Sequence, residues 1–179
     1  TFDHDWVKQQ IETTSVNTVL EKNWPGLHIE PLQAPENMEV LIGWTGSPAS
    51  SPHLVSEVKR LKADPAFYGE FLDHSHQCVE YLIHAFKTNN IKGVQKMIRQ
   101  NRAIIRKMDD QASVDIETDK LKSLCDIAEK HGGAAKTSGA GGGDCGITII
   151  HQNVDKQKIY DEWIENDIKP LQFKIYHGQ

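Results

Sequence analysis

Six of the seven prolines in this 179-residue chain (Pro25, Pro31, Pro35, Pro48, Pro52 and Pro65) fall within its first 65 residues, and the seventh is Pro170. Proline has no N–H to donate and its ring clashes inside a helix, so long helices cannot run where prolines are dense. Residues 66–169 are therefore the block in which uninterrupted helices are expected. The earlier third is left to turns and short elements.

Within that frame, apolar spacing assigns the elements. Asp5–Leu20 is weakly amphipathic and rich in threonine, and it takes no firm assignment. Leu27–Leu32 alternates apolar and polar residues and is predicted as a short strand, and Met38–Trp44 (MEVLIGW) as a stronger one. A helix is expected from Ser51 or Pro52 with Leu54, Val55, Val58 and Leu61 on one face. Asp64-Pro65 has the order of an N-cap followed by proline at the first helical position. Phe67, Phe71, Cys78, Val79, Leu82, Ile83 and Phe86 then hold helical spacing to Asn89-Asn90. A third helix carries Ile91, Val94, Met97, Ile98, Ile105 and Met108 inward, and a fourth runs from Thr118 to His131, stopped by Gly132-Gly133. Beyond them the period changes. Ala134–Ser138 and Cys145–His151 read as strands, Asp155–Asn166 as a helix, and Lys169–Tyr176 as a closing strand. Strands with helices packed on one side predict an α+β fold, a ferredoxin-like split βαβ sandwich with a helical insertion. No internal repeat is present, and the one low-complexity stretch is a glycine loop.

Composition narrows the function classes. There are 20 Lys plus Arg against 25 Asp plus Glu, a formal charge of −5, which disfavours general nucleic-acid binding. No apolar run reaches the ~20 residues that span a bilayer, so no membrane partner is expected. Thr1–Trp6 is polar, unlike the start of a signal peptide. Cys78, Cys125 and Cys145 make no CxxC pair and suit reduced thiols in a cytoplasmic protein.

The strongest local signal is Lys136-Thr137-Ser138-Gly139-Ala140-Gly141-Gly142-Gly143-Asp144-Cys145-Gly146. Five of the eight residues from Gly139 to Gly146 are glycine, and the run joins two predicted strands. Such a loop brings backbone N–H groups close to an anion, and the hydroxyls of Thr137 and Ser138 add donors at its entrance. The alternative is a flexible hairpin loop, although one or two glycines suffice for that. It is not a P-loop, since no lysine and hydroxyl follow the last glycines and a strand comes next.

Gly43-Trp44-Thr45-Gly46-Ser47-Pro48-Ala49-Ser50-Ser51 is a second signal. Here a strand end runs into a helix start, where small residues and hydroxyls suit either an anion site or a plain N-cap. A third is the basic stripe Lys92, Lys96, Arg99, Arg102 and Arg106 on one helical face, with a solvated face as its alternative. Asn101 and Arg102 lie nearer the apolar boundary, where a guanidinium could clamp a phosphate. His74 and His76 are two apart and point to different sides of a helix, which argues against a metal pair. Cys145 has no evident base partner and reads as a packed thiol rather than a nucleophile. Asp144, the only acid of the loop, is either a base or a loop-fixing acceptor.

On these residues the chain resembles the GHMP kinase superfamily, which includes galactokinase, homoserine kinase and mevalonate kinase. Ser138–Cys145 is similar to that superfamily's third motif. The stretch Gln100–Ile105, a linker and then Leu121–Gly133 resembles the helix pair leading into it. Ile42–Ser51, with the aspartate-bearing loop, is most similar to the bacterial phosphomevalonate kinase branch, and the likeness covers essentially the whole chain.

The resemblance implies ATP-dependent phosphoryl transfer to 5-phosphomevalonate, with ATP and Mg2+ as cofactors. It places Ser138, Gly139, Ala140, Gly141, Gly142 and Asp144 at the substrate and the transferred phosphate. Arg102, Asn101, Ser50 and Ser51 are further candidates for the anionic substrate. The family's ATP-binding loop and catalytic aspartate are expected upstream of Thr1, so no catalytic residue is expected in this chain, which alone would not turn over. Residues 1–37 would pack on an N-terminal half of the same kinase, and 38–179 would form the C-terminal domain. Two alternatives stay open: another kinase of the superfamily such as mevalonate kinase, and a non-catalytic module that binds a phosphorylated metabolite.

Overall fold

A computed structural model of the chain describes residues 2–49, 54, 56, 59–139 and 141–173. The chain divides into two compact units, Thr1–Leu32 and Gln33–Gln179.

In the first unit the Thr-rich stretch is two short helices, α1 (His4–Thr13) and α2 (Val16–Leu20). The Asp3 side chain accepts hydrogen bonds from the Asp5 and Trp6 amides and so caps α1, while Ser15 caps α2. The strand expected over Leu27–Leu32 does not form. Alternation marks a strand only where a ladder partner and a core face exist. Here no ladder is made among the described residues, and Ile29 remains 82% exposed.

The second unit is built on a four-stranded antiparallel sheet of β1 (Met38–Trp44), β2 (Ala134–Thr137), β3 (Cys145–His151) and β4 (Lys169–Leu171), in the order β2-β3-β1-β4. Met38 pairs with His151 and Trp44 with Cys145 along the central ladder. Because β3 lies between β1 and β2, and β1 between β3 and β4, each crossover unit is split by a strand of the other. That is the ferredoxin-like order expected from the sequence. The helices are α3 (Pro65–Lys87), α4 (Ile91–Ala112), α5 (Asp119–Lys130) and α6 (Lys156–Glu165). A 3-10 turn over Leu61–Ala63 precedes α3. Much of the helix expected from Ser51 or Pro52 lies outside the described residues, although Leu54, Ser56, Lys59 and Arg60 are helical.

Helices cover both faces of the sheet, not one. Leu41, Ala135 and Ile150 pack against Leu124, Cys125 and Ala128 of α5 and Ile159 and Trp163 of α6. Their chain neighbours Val40, Ala134 and Ile149 face the other way, onto Ala85 of α3 and Val94 and Ile98 of α4. The α3–α4 hairpin is thus the insertion that closes the second face, with Cys78, Met97 and Ile104 buried along its seam. Central strands buried on both sides read as continuous apolar runs, as VLI and ITII do here.

Side-chain caps set two of these boundaries, the one at Asp64 as expected. Asp64 accepts from the Phe67 amide at 3.1 Å ahead of Pro65, and Thr118 caps α5. The closing strand is shorter than its alternation suggested, ending at Leu171 rather than Tyr176, and residues 174–179 lie outside the described residues. Pro170 sits opposite Gly43 on this edge strand, where a missing N–H is tolerated. Among the described residues, no helix is long and apolar enough to cross a membrane.

Candidate substrate-phosphate site

The glycine loop connects the end of β2 to the start of β3. Its second half is a run of left-handed backbone: φ is +82° at Gly141, +75° at Gly142, +122° at Gly143 and +59° at Asp144. Side chains strongly disfavour such angles, and Asp is among the few non-glycine residues that accept them. At Gly141 there is a second demand. A Cβ there would stand 2.3 Å from the Ile116 carbonyl oxygen, so the loop presses its backbone directly onto the α4–α5 connection.

Two segments hold this run in place. The Gly142 amide donates to Ile116 O at 2.8 Å. The Asp144 amide donates to Ser47 O at 2.7 Å, and Asp144 O accepts from both the amide and the hydroxyl of Thr45, at 2.8 and 2.9 Å. The glycine loop and the turn at Trp44–Ser47 are therefore joined where β1 ends and β3 begins. At the entrance the Ser138 amide donates to Cys145 O at 2.9 Å, and Ser138 and Gly139 are exposed. The amides of Gly142 and Asp144 are thus spent on the carbonyls of Ile116 and Ser47, so an anion at this loop would be met by its other N–H groups.

Among the remaining candidates, Ala140, Ser50 and Ser51 lie outside the described residues. Asn101 is half-buried on α4. Arg102 does not present a free guanidinium. Its Nε donates to both carboxylate oxygens of Glu117, at 3.1 and 3.0 Å, and its Nη2 donates to Glu117 Oε1 and to Asp126 Oδ1, the latter at 2.9 Å. Burial disfavours that cation, but the Glu117 and Asp126 hydrogen bonds outweigh it and raise its pKa further. For Asp126 too, burial pushes upward, and the Arg102 and Lys122 contacts hold its carboxyl below the usual range.

The rest of the basic stripe is partly structural as well. Arg99 bridges to Glu129 at 2.6 Å and donates to Gly133 O at 2.7 Å, tying α4 to the end of α5. Burial pushes the Cys145 thiol up and the Asp144 carboxylate adds to this, which fits a packed thiol and not a nucleophile. Lys136 is drawn below its usual range by burial, and its Nζ donates to Thr137 O at 2.5 Å, where β2 meets the loop. Among the described residues, no group of three or more His, Cys, Asp or Glu could hold a metal ion.

Sequence reasoning passed over Asp109, Ile116 and Glu117. The Asp109 carboxylate accepts the amides of Ile116 and Glu117, at 2.8 and 3.0 Å. Nothing in the stretch Ser113–Glu117 forms a motif. Its importance comes from a backbone carbonyl, which every residue carries.

Residues 82–169 match the family described as GHMP kinases C terminal. The chain is also 34% identical over 172 residues to a phosphomevalonate kinase from Streptomyces sp. (strain CL190), a match covering 94% of this chain and 46% of that protein. The chain belongs to the GHMP kinase family. A GHMP kinase fold is equally evident in solved structures. The Lin0012 protein from Listeria innocua superposes with a TM-score of 0.88 at 37% identity, covering 97% of this chain and 49% of that one. Streptococcus pneumoniae phosphomevalonate kinase in complex with phosphomevalonate and AMPPNP superposes with a TM-score of 0.80 at 27% identity, covering 96% and 49%. This GHMP kinase chain thus spans about half the length of the relatives it matches.

Proposed function

We propose that the chain is the C-terminal part of a cytoplasmic phosphomevalonate kinase, whose whole enzyme transfers the γ-phosphoryl group of ATP to the phosphate of 5-phosphomevalonate. The observation that carries this reading is the left-handed run Gly141–Asp144, anchored on Thr45 and Ser47. Phosphoryl transfer asks mainly for positioning and charge neutralisation, and a glycine loop anchored on both sides serves the first of these without covalent chemistry. The streptococcal relative that binds phosphomevalonate and AMPPNP favours this substrate pair. In this reading Ser138, Gly139, Gly141 and Gly142 cradle the substrate phosphate, and Asp144 acts through its backbone as the anchor to Thr45. ATP and Mg2+ are held mainly by an N-terminal half of the enzyme, which also provides the catalytic aspartate, and residues 1–37 pack on that half.

The test is a coupled ADP-release assay with 5-phosphomevalonate and Mg-ATP, run on this chain alone and with a separately produced N-terminal half. Turnover only in the mixture is the expected result. Binding of 5-phosphomevalonate to this chain by calorimetry, with no turnover in either sample, would replace the kinase reading with a non-catalytic phosphometabolite module.

A further inference from the structure

We infer that Arg102 is a positioning residue, which fixes the glycine loop by locking Glu117 and so the backbone at Ile116 against which the loop is pressed. Its consequence for substrate binding rests on the reading above, and its geometry on the contacts around Glu117 and Ile116.

Ile116 is buried within the α4–α5 connection, and the segment is held at three further points. Arg102 and Asp109 are seven residues apart, two turns along one stripe of α4. Arg102 grips the Glu117 side chain, which is only 4% exposed, and is itself 12% exposed. Asp109 takes the amides of Ile116 and Glu117. Between these grips the Ile116 carbonyl is aimed outward, and it receives the Gly142 amide at 2.8 Å.

Ile116 O also lies so close to Gly141 that no Cβ fits there. The carbonyl therefore both accepts the Gly142 hydrogen bond and demands a residue without a Cβ at position 141. A forked, multiply bonded guanidinium suits this task, because its geometry fixes the carboxylate in direction as well as distance. A lysine would supply the charge without the fork.

Site-resolved amide hydrogen exchange on the whole chain reads the coupling directly, with the Ile150 amide of β3 as an internal reference. In Arg102→Lys the Gly142 amide is expected to exchange about tenfold faster, the loss of one hydrogen bond's net worth, while Ile150 is unchanged. Affinity for 5-phosphomevalonate by calorimetry falls by about the same factor. Removing one partner of a buried pair can unfold a protein. The double variant Arg102→Met, Glu117→Leu leaves no unpaired charge between them and serves as the second variant. It too is expected to release Gly142 selectively.

Unchanged Gly142 exchange in these variants, or equal acceleration at Gly142 and Ile150, would overturn the positioning role. So would faster Gly142 exchange with undiminished affinity. If the unsubstituted chain takes up no 5-phosphomevalonate, the substrate reading falls, and the exchange arm still decides by itself whether Arg102 holds the loop.

Discussion

Gly43 and Gly146 face each other across the β1–β3 ladder, and both lie beneath Leu124 of α5. A Cβ on Gly43 would come within 2.7 Å of Leu124 Cδ1, and one on Gly146 within 2.6 Å of Leu124 Cδ2. The pair forms a notch in the sheet that lets the helix sit low. Leu124 is fully buried there, and its carbonyl accepts the Trp163 indole N–H at 3.1 Å, which ties α6 into the same layer. Each glycine also stands next to the site: Gly43 precedes the turn at Trp44–Ser47, and Gly146 follows the glycine loop.

Gly146→Ala should therefore overpack this notch and cost about 1–3 kcal/mol in urea unfolding. Leu124→Ala alone should cost about 2–5 kcal/mol through the cavity it leaves. The double variant is expected to cost less than the sum of the two, since each change relieves the other. Strict additivity would show that Leu124 does not occupy the notch.

The loop offers an internal comparison between two glycines. Gly141→Ala meets both a positive φ and a backbone carbonyl, so it should lower stability by about 1–3 kcal/mol and, on the function proposed above, weaken 5-phosphomevalonate binding. Gly139→Ala meets nothing within 4 Å and has no positive φ. Its melting temperature should match that of the unsubstituted chain within error. Equal losses in the two variants would contradict the described path of the loop.

At the far end of α5, Glu162 accepts from Lys130 Nζ at 2.8 and 2.9 Å and meets His131 Nε2 at 2.7 Å. The Lys130 and then the His131 hydrogen bonds hold its carboxyl below the ordinary glutamate range. A carboxyl depressed on folding stabilises the fold above its unfolded pKa, and that contribution is lost as pH falls through the folded value. Urea midpoints of the parent chain and of Glu162→Gln should differ at pH 7 and converge as pH drops below 4.3, about the unperturbed glutamate value. A constant difference from pH 7 to pH 3 would remove the linkage.

The three thiols should be sluggish toward alkylation at neutral pH. Burial pushes Cys125 up to about 12 and raises Cys78 and Cys145 as well. Cys145 is the only one of the three not fully buried, so mass spectrometry should find it modified first and faster as pH rises. Labelling of Cys125 ahead of Cys145 would contradict this packing.

How much of this the sequence disclosed depended on the range of the interaction involved. Met38–Trp44 and Cys145–His151 were legible to the residue, because their apolar runs are bounded by turn chemistry on both sides. The cap at Asp64 was legible for the same reason, as a cap is written within four residues, whereas Thr118 was read as the start of its helix and not as the cap it is. Leu27–Leu32 was misleading, since alternation alone does not supply a ladder partner. The glycine loop announced itself by composition, but the role of Arg102 did not. Which partner a guanidinium takes is decided by Glu117 and Asp126, 15 and 24 residues away. The covering of both sheet faces was likewise hidden, because an apolar run shows that a strand is buried without showing by what.

Thr45 and Asp144, whose contact welds the turn to the glycine loop, are 99 residues apart in sequence. The α3–α4 hairpin lies between them and closes through local contacts of its own. Bringing distant segments together carries a loop-closure cost that neighbours avoid, and rates fall as that separation grows. The hairpin should then gain protection early in refolding, and pulsed exchange should find the Thr45 amide among the last to be shielded. On this ordering the glycine-loop end forms as the keystone of the domain: set last, and dependent on every course laid before it.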